Sequence, residues 1–265
     1  MLPTDPDAGE FLRHGTLDIE GRLVDASNAT LFCAIEAEGV EAKCVYKPIR
    51  GERPLWDFPD GTLAGREVAA YLVSRAAGLA VIPPTVLRQG PFGPGMAQLW
   101  VDTKEGDDLV DVLAPDELPQ GWRPVLRALD RYGDPAVLAH SNAAPVALMA
   151  ALDVVLNNAD RKGGHVLHGT DGGVYGVDHG ICLHQEPKLR TVLWGWAGEA
   201  LPDEAVDALH TLSAALRGDD LPEELAPHIT LTEIAALRSR TQALLAAPVF
   251  PEPDEDGRPI PWPAF

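Results

Sequence analysis

Basic residues are scarce in this chain: its 265 residues hold 21 Lys and Arg against 40 Asp and Glu, a formal net charge of −19. Polyanions bind by releasing counterions at Lys and Arg, so the balance argues against nucleic acid as a main partner. An anionic membrane surface would be repelled for the same reason. Cysteine is also rare. Cys33, Cys44 and Cys182 are the only three, with no C-x-x-C spacing, which excludes a disulfide framework and the usual zinc patterns. No apolar run approaches the ~20 residues of a helical membrane span. The opening residues, Met1-Leu2-Pro3-Thr4-Asp5-Pro6-Asp7, are acidic and lack the basic-then-apolar order of a secretory signal, so a cytoplasmic location is expected. No internal repeat is visible, and no H-E-x-x-H pair occurs among the eight histidines.

What remains is ordinary for a soluble protein, 46% hydrophobic and 23% charged, and long enough for one large domain or two small lobes. The first third reads as strands followed by a helix. Alternation predicts strands near Thr16–Val24, Leu31–Glu36 and Ala42–Lys47, with Glu38-Gly39 as turn material. The stretch Arg50 to Gly61, rich in Pro, Gly and Asp, predicts an irregular connection. A helix is expected from about Thr62 to Ala77, stopped by Gly78, then strands near Thr85–Leu87 and Met96–Val101. After Asp102 the character becomes helical. Asn142 reads as a cap and Pro145 as a first-turn residue of a buried helix through Leu156. Further helices are expected near 203–217 and 230–247. The predicted organisation is a β-rich part over 1–101, a helical part over 102–247, and a tail over 248–265 that carries six prolines. Its Trp262 and Phe265 hint at docking on the body.

Four residues carry the chemistry. Asp160 lies in Asn157-Asn158-Ala159-Asp160-Arg161-Lys162-Gly163-Gly164-His165, directly after the buried helix. An aspartate fixed in a tight loop with its tip exposed can orient an attacking hydroxyl and accept its proton. Asp178 follows a strand-like stretch in Val174-Tyr175-Gly176-Val177-Asp178-His179-Gly180, a placement suited to holding a divalent cation. Lys47 ends a strand and Glu67 lies on the helix that follows. A lysine aimed at nucleotide phosphates needs such a carboxylate to hold it. Taken singly, each of these has a commoner reading as a turn, cap or surface residue. The order and spacing of all four predict an ATP-dependent phosphotransfer site.

The motifs resemble those of the phosphatidylinositol 3/4-kinase-related branch of the protein-kinase-like superfamily, as represented by a group of small actinobacterial proteins. Leu152 to Arg161 resembles its catalytic loop, Val177-Asp178-His179-Gly180 its metal-binding Asp-x-Gly, and Val45-Tyr46-Lys47-Pro48 its lysine strand. The resemblance implies an α+β, two-lobed protein-kinase-like fold, with a β-rich N-lobe and a helical C-lobe. ATP would lie in the cleft. Gln98, Leu99, Trp100 and Val101 would then form the hinge that meets adenine. Ser27, Asn28 and Thr30 would belong to the loop over the phosphates. Asp160 would be the catalytic acid/base and Asp178 the chief ligand of Mn2+ or Mg2+.

Two departures stand out. Where the branch has an asparagine as second metal ligand this chain has His165, and imidazole suits Mn2+ better than Mg2+. The loop at Ser27–Thr30 also lacks the pattern G-x-G-x-x-G.

In such a fold the stretch after Asp178 approaches the acceptor. Lys188 and Arg190 are a thin supply of charge for an inositol phosphate headgroup, so a protein Ser or Thr is the expected acceptor, with self-phosphorylation at Thr191. Transfer of AMP on the same fold, and a nucleotide-binding scaffold without turnover, are the two other readings.

Overall fold

The computed structural model describes residues 1–23, 28–130, 132–254 and 257–265. Helix α1 (Ala8–His14) comes first, where no element was expected. Strands β1 (Thr16–Arg22), β2 (Leu31–Ala37) and β3 (Val40–Pro48) follow. Helix α2 (Leu63–Ala76) precedes β4 (Thr85–Gly90) and β5 (Gly93–Leu99). These strands form one antiparallel sheet in the order β1-β2-β3-β5-β4.

Alternation decides what each face of the sheet does, since successive strand residues point to opposite sides. Leu31, Cys33 and Ile35 of β2, with Cys44 and Tyr46 of β3, pack against Ala8, Phe11 and Leu12 of α1. Val45 and Lys47 consequently face the other way. The turn between β2 and β3 has Glu38 and Gly39 at positive φ, 53° and 79°.

Helix α2 is set firmly at its start. Thr62 Oγ1 accepts from Gly65 N–H at 3.0 Å, and the Glu52 carboxylate accepts from the N–H groups of Leu63 (2.9 Å) and Ala64 (2.8 Å). An anion on the free amides of a helix start is favourable both as a hydrogen-bond acceptor and against the dipole. One turn in, Arg66 is buried. It pairs with Glu233 at 2.7 Å and donates to Cys182 O and Asp60 O.

Beyond the sheet, β6 (Val110–Leu113), β7 (Trp122–Leu129) and β8 (Pro135–Ser141) form a second antiparallel sheet in the order β6-β8-β7. Residues 110–141 therefore depart from the helical character expected after Asp102. The strand signal in β7 was obscured because Pro124 interrupts it, and the register shifts between Pro124 and Leu126. A bulge breaks the two-residue period that marks a strand, and a proline lowers its reading further.

The buried helix is α3 (Ala144–Leu156), followed by the hairpin β9 (Val166–His168) and β10 (Val174–Gly176). Helices α4 (Asp203–Arg217), α5 (Asp220–Leu225) and α6 (Leu231–Ala246) complete the chain. Asn142 does not cap α3. Ala143 holds that position, and Asn142 Oδ1 instead accepts from Arg123 Nε and from Trp196 Nε1 at 3.1 Å. No helix among the described residues is long and apolar enough to cross a membrane.

Candidate functional site

Lys47 joins three segments that are far apart in sequence. Its Nζ lies 2.8 Å from Glu67 Oε1 on α2 and 2.7 Å from Asp178 Oδ1 beyond β10. Burial alone would lower the ammonium's pKa, but the charges of Asp178 and Glu67 outweigh it and hold the pKa above its ordinary value. Burial pushes the Glu67 carboxyl up to about 7 against the pull of Lys47. The charge of Lys47 holds the half-exposed Asp178 well below the usual carboxylate range despite partial desolvation. Asp178 sits at φ 59°, in the left-handed region that non-glycine residues seldom enter.

Asp160 reaches the same place from the end of α3. Asn157 ends that helix in the left-handed conformation. Its Nδ2 donates to His184 O and Glu186 O, and its Oδ1 accepts from Lys188 N–H. Asn158 Oδ1 then accepts from the Asp160 N–H at 3.0 Å, an Asx-type turn that sets the loop. Lys162 Nζ is 3.8 Å from Asp160 Oδ2. Burial dominates this carboxyl and, with Lys162 opposing and Asp178 assisting, pushes it up to about 6. A base must be ionised to accept a proton. Were Asp160 the base of a transfer reaction, turnover would rise about tenfold per pH unit below ~6 and level off above it. A pH profile of kcat/KM checks this, and a flat acid limb down to pH ~5 would exclude Asp160 as the titrating base.

Arg161 is the tie that was not anticipated. Its side chain is 0% exposed, and every N–H of its guanidinium has an acceptor. Nε and Nη2 bind the two oxygens of Asp153 on α3 at 2.8 and 2.9 Å. Nη1 donates to His165 O and Val177 O, and Nη2 to His179 Nε2 at 2.6 Å. The residue after Asp160 thus grips both neighbours of Asp178. Arg161 donates only, so His179 Nε2 must accept. Burial lowers the His179 pKa and keeps it neutral for that role. The sequence signal was present in the Asp-Arg pair, but nothing local named Asp153 or His179 as partners.

A cavity of ≈ 510 Å3 opens beside Lys47 and Asp178, within the range of small-ligand sites. Gln98, Leu99, Trp100 and Val101 all line it, as do Thr30, Gly164 and His165. The N–H groups of Leu99 and Trp100 are engaged by Pro84 O and Lys43 O, and the Gln98 amide donates to Thr85 Oγ1. Asn28 is not among the lining residues. Its Oδ1 accepts from Arg53 N–H, so it braces the connection after β3 instead of facing the cavity. Ser27 lies outside the described residues.

His165 Nε2 faces Asp178 Oδ2 at 3.4 Å, and its Nδ1 is buried with no hydrogen-bond partner. Burial lowers this imidazole to about 4, so it is neutral near pH 7 and has a lone pair to offer. A carboxylate and a neutral imidazole facing each other beyond good hydrogen-bonding distance fit a divalent cation. Among the described residues no group of three His, Cys, Asp or Glu side chains could hold a metal. The protein would therefore supply only part of a coordination shell, with phosphate oxygens or water supplying the rest.

Thr191 is placed differently from expectation. It is 4% exposed, its Oγ1 accepts from Leu193 N–H, and its backbone pairs with Arg161. A buried, engaged hydroxyl cannot serve as acceptor, which removes Thr191 as the self-phosphorylation site. Its rarity as a hydroxyl residue in that stretch said nothing about burial.

No family model matches the chain. Among curated proteins it is 53% identical to Protein Rv2133c of Mycobacterium tuberculosis, over 98% of this chain and 96% of that protein. Among solved structures it resembles hydra Fam20, with a TM-score of 0.52, 14% identity, and coverage of 90% of this chain and 86% of that one. It resembles the Golgi casein kinase equally, with a TM-score of 0.52, 11% identity, and coverage of 91% and 73%. At such identities the likeness defines the fold alone, an α+β arrangement shared with those two structures.

Proposed function

For a chain that belongs to the family of Protein Rv2133c and has a protein-kinase-like fold, we propose an ATP-dependent phosphotransferase that acts on protein Ser or Thr hydroxyls. The observation that carries this reading is the ion-pair triad of Lys47 with Glu67 and Asp178: Lys47 and Asp178 line the cavity, Glu67 holds Lys47 from behind, and the charge of Asp178 acts on the Asp160 carboxyl. Lys47 would grip the nucleotide phosphates, held in place by Glu67. Asp178 and His165 would hold Mn2+ or Mg2+, which supplies neutralising charge to the phosphates when bound. The imidazole favours Mn2+. Asp160, kept close to neutral pH in its titration, would orient the acceptor hydroxyl and take its proton at a carboxylate oxygen.

The hinge has a consequence for the adenine end. With Leu99 and Trp100 N–H engaged within the sheet, Val101 N–H is the backbone donor left to meet the base. Protein is favoured over lipid as acceptor by charge. Lys188 lies 3.5 Å from Asp57 and over the Phe58 ring, which among the described residues leaves Arg190 as the cation of that pair without an ion pair. One guanidinium on a chain of net charge −19 is a poor lure for a polyphosphorylated headgroup.

Purified protein given ATP labelled at the γ or the α phosphate, with Mn2+ and with Mg2+, should incorporate γ label into a Ser or Thr. Asp160→Ala should abolish it. Incorporation of α label would mean AMP transfer. Tight ATP binding with no label from either position, across a panel of protein acceptors, would point to a nucleotide-binding scaffold.

A further inference from the structure

The tail segment 259–265 grips the active-site loops at two places. Pro259 O accepts both the Thr191 N–H and the Trp194 Nε1–H, each at 2.9 Å, on the stretch that follows Asp178. Ala264 O accepts the Gly163 N–H at 2.8 Å, on the loop that runs from Asp160 to His165. Between these points Pro261 is buried and Ile260 and Ala264 pack against the main core, so the segment is anchored independently of what it holds. Trp262, one of the two aromatics expected to dock, is instead 91% exposed.

Phe265 is the aromatic that docks, and it does so at Gly163. A Cβ on Gly163 would stand 2.1 Å from Phe265 Cε1, so the ring occupies the space that a side chain would take. Gly163 opens the short 3-10 turn Gly163–His165. The other two residues of that turn, Gly164 and His165, line the cavity, and His165 Nε2 faces Asp178. On its far side Arg161 Nη1 holds the His165 carbonyl at 3.2 Å. The turn is thus fixed from one side by the buried guanidinium and from the other by the tail.

We infer that Phe265 and Ala264 are positioning residues of the nucleotide–metal site: they clamp the Gly163–His165 turn so that His165 and Gly164 face the cavity. The inference rests on reading that cavity as a nucleotide site. Neither residue touches nucleotide or metal, and both act through the turn. The two-sided grip also explains why position 163 carries no side chain in a turn that needs no positive φ.

The test uses the full chain with Phe265→Ala, Phe265→Leu, Gly163→Ala and the double variant Gly163→Ala/Phe265→Ala. Three quantities are read: Mn2+–ATP affinity by calorimetry, the thermal midpoint, and amide exchange over residues 160–166. Phe265→Ala should weaken Mn2+–ATP binding by about tenfold, the scale of lost outer-layer support at metal sites. The thermal midpoint should stay put while exchange at 162–165 quickens. Phe265→Leu should recover most of the loss. Gly163→Ala, which must displace the ring, should weaken binding alone but add nothing to Phe265→Ala, since contacting residues are not additive.

Unchanged affinity in Phe265→Ala would overturn the inference. So would additive single effects, or a loss that only tracks a lower midpoint. Wild-type protein that binds no Mn2+–ATP would sink the phosphotransferase reading instead. The exchange arm then decides by itself, because equal protection at 162–165 in wild type and Phe265→Ala excludes the clamp.

Discussion

Asp160→Asn is expected to lower kcat by about 10²–10⁴-fold while leaving ATP affinity within about twofold. The change removes the ionisable oxygen and little else, because the Asp160 backbone is held by Asn158 Oδ1 and not by its own side chain. Lys162 would lose a partly buried partner at 3.8 Å, a contact too long to hold much stability. The acid limb of the pH profile should vanish with the carboxylate, since burial places its titration at about 6 and no proton can leave an amide. Single-turnover kinetics at saturating nucleotide separate the chemical step from binding. A tenfold or greater loss of ATP affinity, with the chemical step intact, would assign Asp160 to binding and not to proton transfer.

Arg161→Leu should be the most damaging single change outside the reacting groups. It leaves Asp153 buried without its cation and removes the donor that His165 O, Val177 O and His179 Nε2 accept from. Breaking a buried pair by deleting one partner costs about 3–5 kcal/mol, because the remaining charge is desolvated and unpaired. Urea unfolding followed by fluorescence measures this through the midpoint at constant m. Replacing both partners, as in Asp153→Leu/Arg161→Leu, should recover part of the loss, since no charge is then stranded. The double variant should still bind Mn2+–ATP poorly. Of the ties from the residues flanking Asp178 to the Asp160–His165 loop, the Val177 N–H bond to His165 O would remain, without the guanidinium that holds both sides. A loss below about 1 kcal/mol in Arg161→Leu would mean that the guanidinium is not what holds these loops together.

The two predictions differ in where their residues were visible. Asp160, Asp178, Lys47 and Glu67 stand in local patterns: a polar loop after an apolar helix, an aspartate before His-Gly, a lysine at a strand end, a glutamate on the next helix. Strands β1 to β5 and helices α2, α3, α4 and α6 were legible for the same reason, because burial of one face imposes a period on the sequence, whereas the sheet of β6, β7 and β8 was not. Where the period was broken, at the bulge and proline of β7, the strand went unread.

Asp153 and His179 left no such mark, and Asp153 looked like one polar residue in an apolar helix. The aromatics of the tail hinted at docking, but nothing local named Gly163 as the partner of Phe265. Asn142 read as a cap because its type and the following proline suit one, yet a tertiary contact with Arg123 and Trp196 claimed its side chain. Thr191 was singled out by position and proved buried.

The sequence by itself determined most of the elements of the β-rich part and the types of residue available for phosphotransfer, because both rest on short-range chemistry: periodicity, turn preference and charge; the fold class followed from the resemblance of its motifs. The tertiary structure decided which of those residues meet. It set Lys47 between Glu67 and Asp178, brought His165 to Asp178, engaged Lys188 with Asp57, and seated Phe265 on Gly163. Each of those contacts joins side chains from different elements of the fold. Such pairings are settled by packing and desolvation across the whole molecule, not by the residues adjacent to either partner.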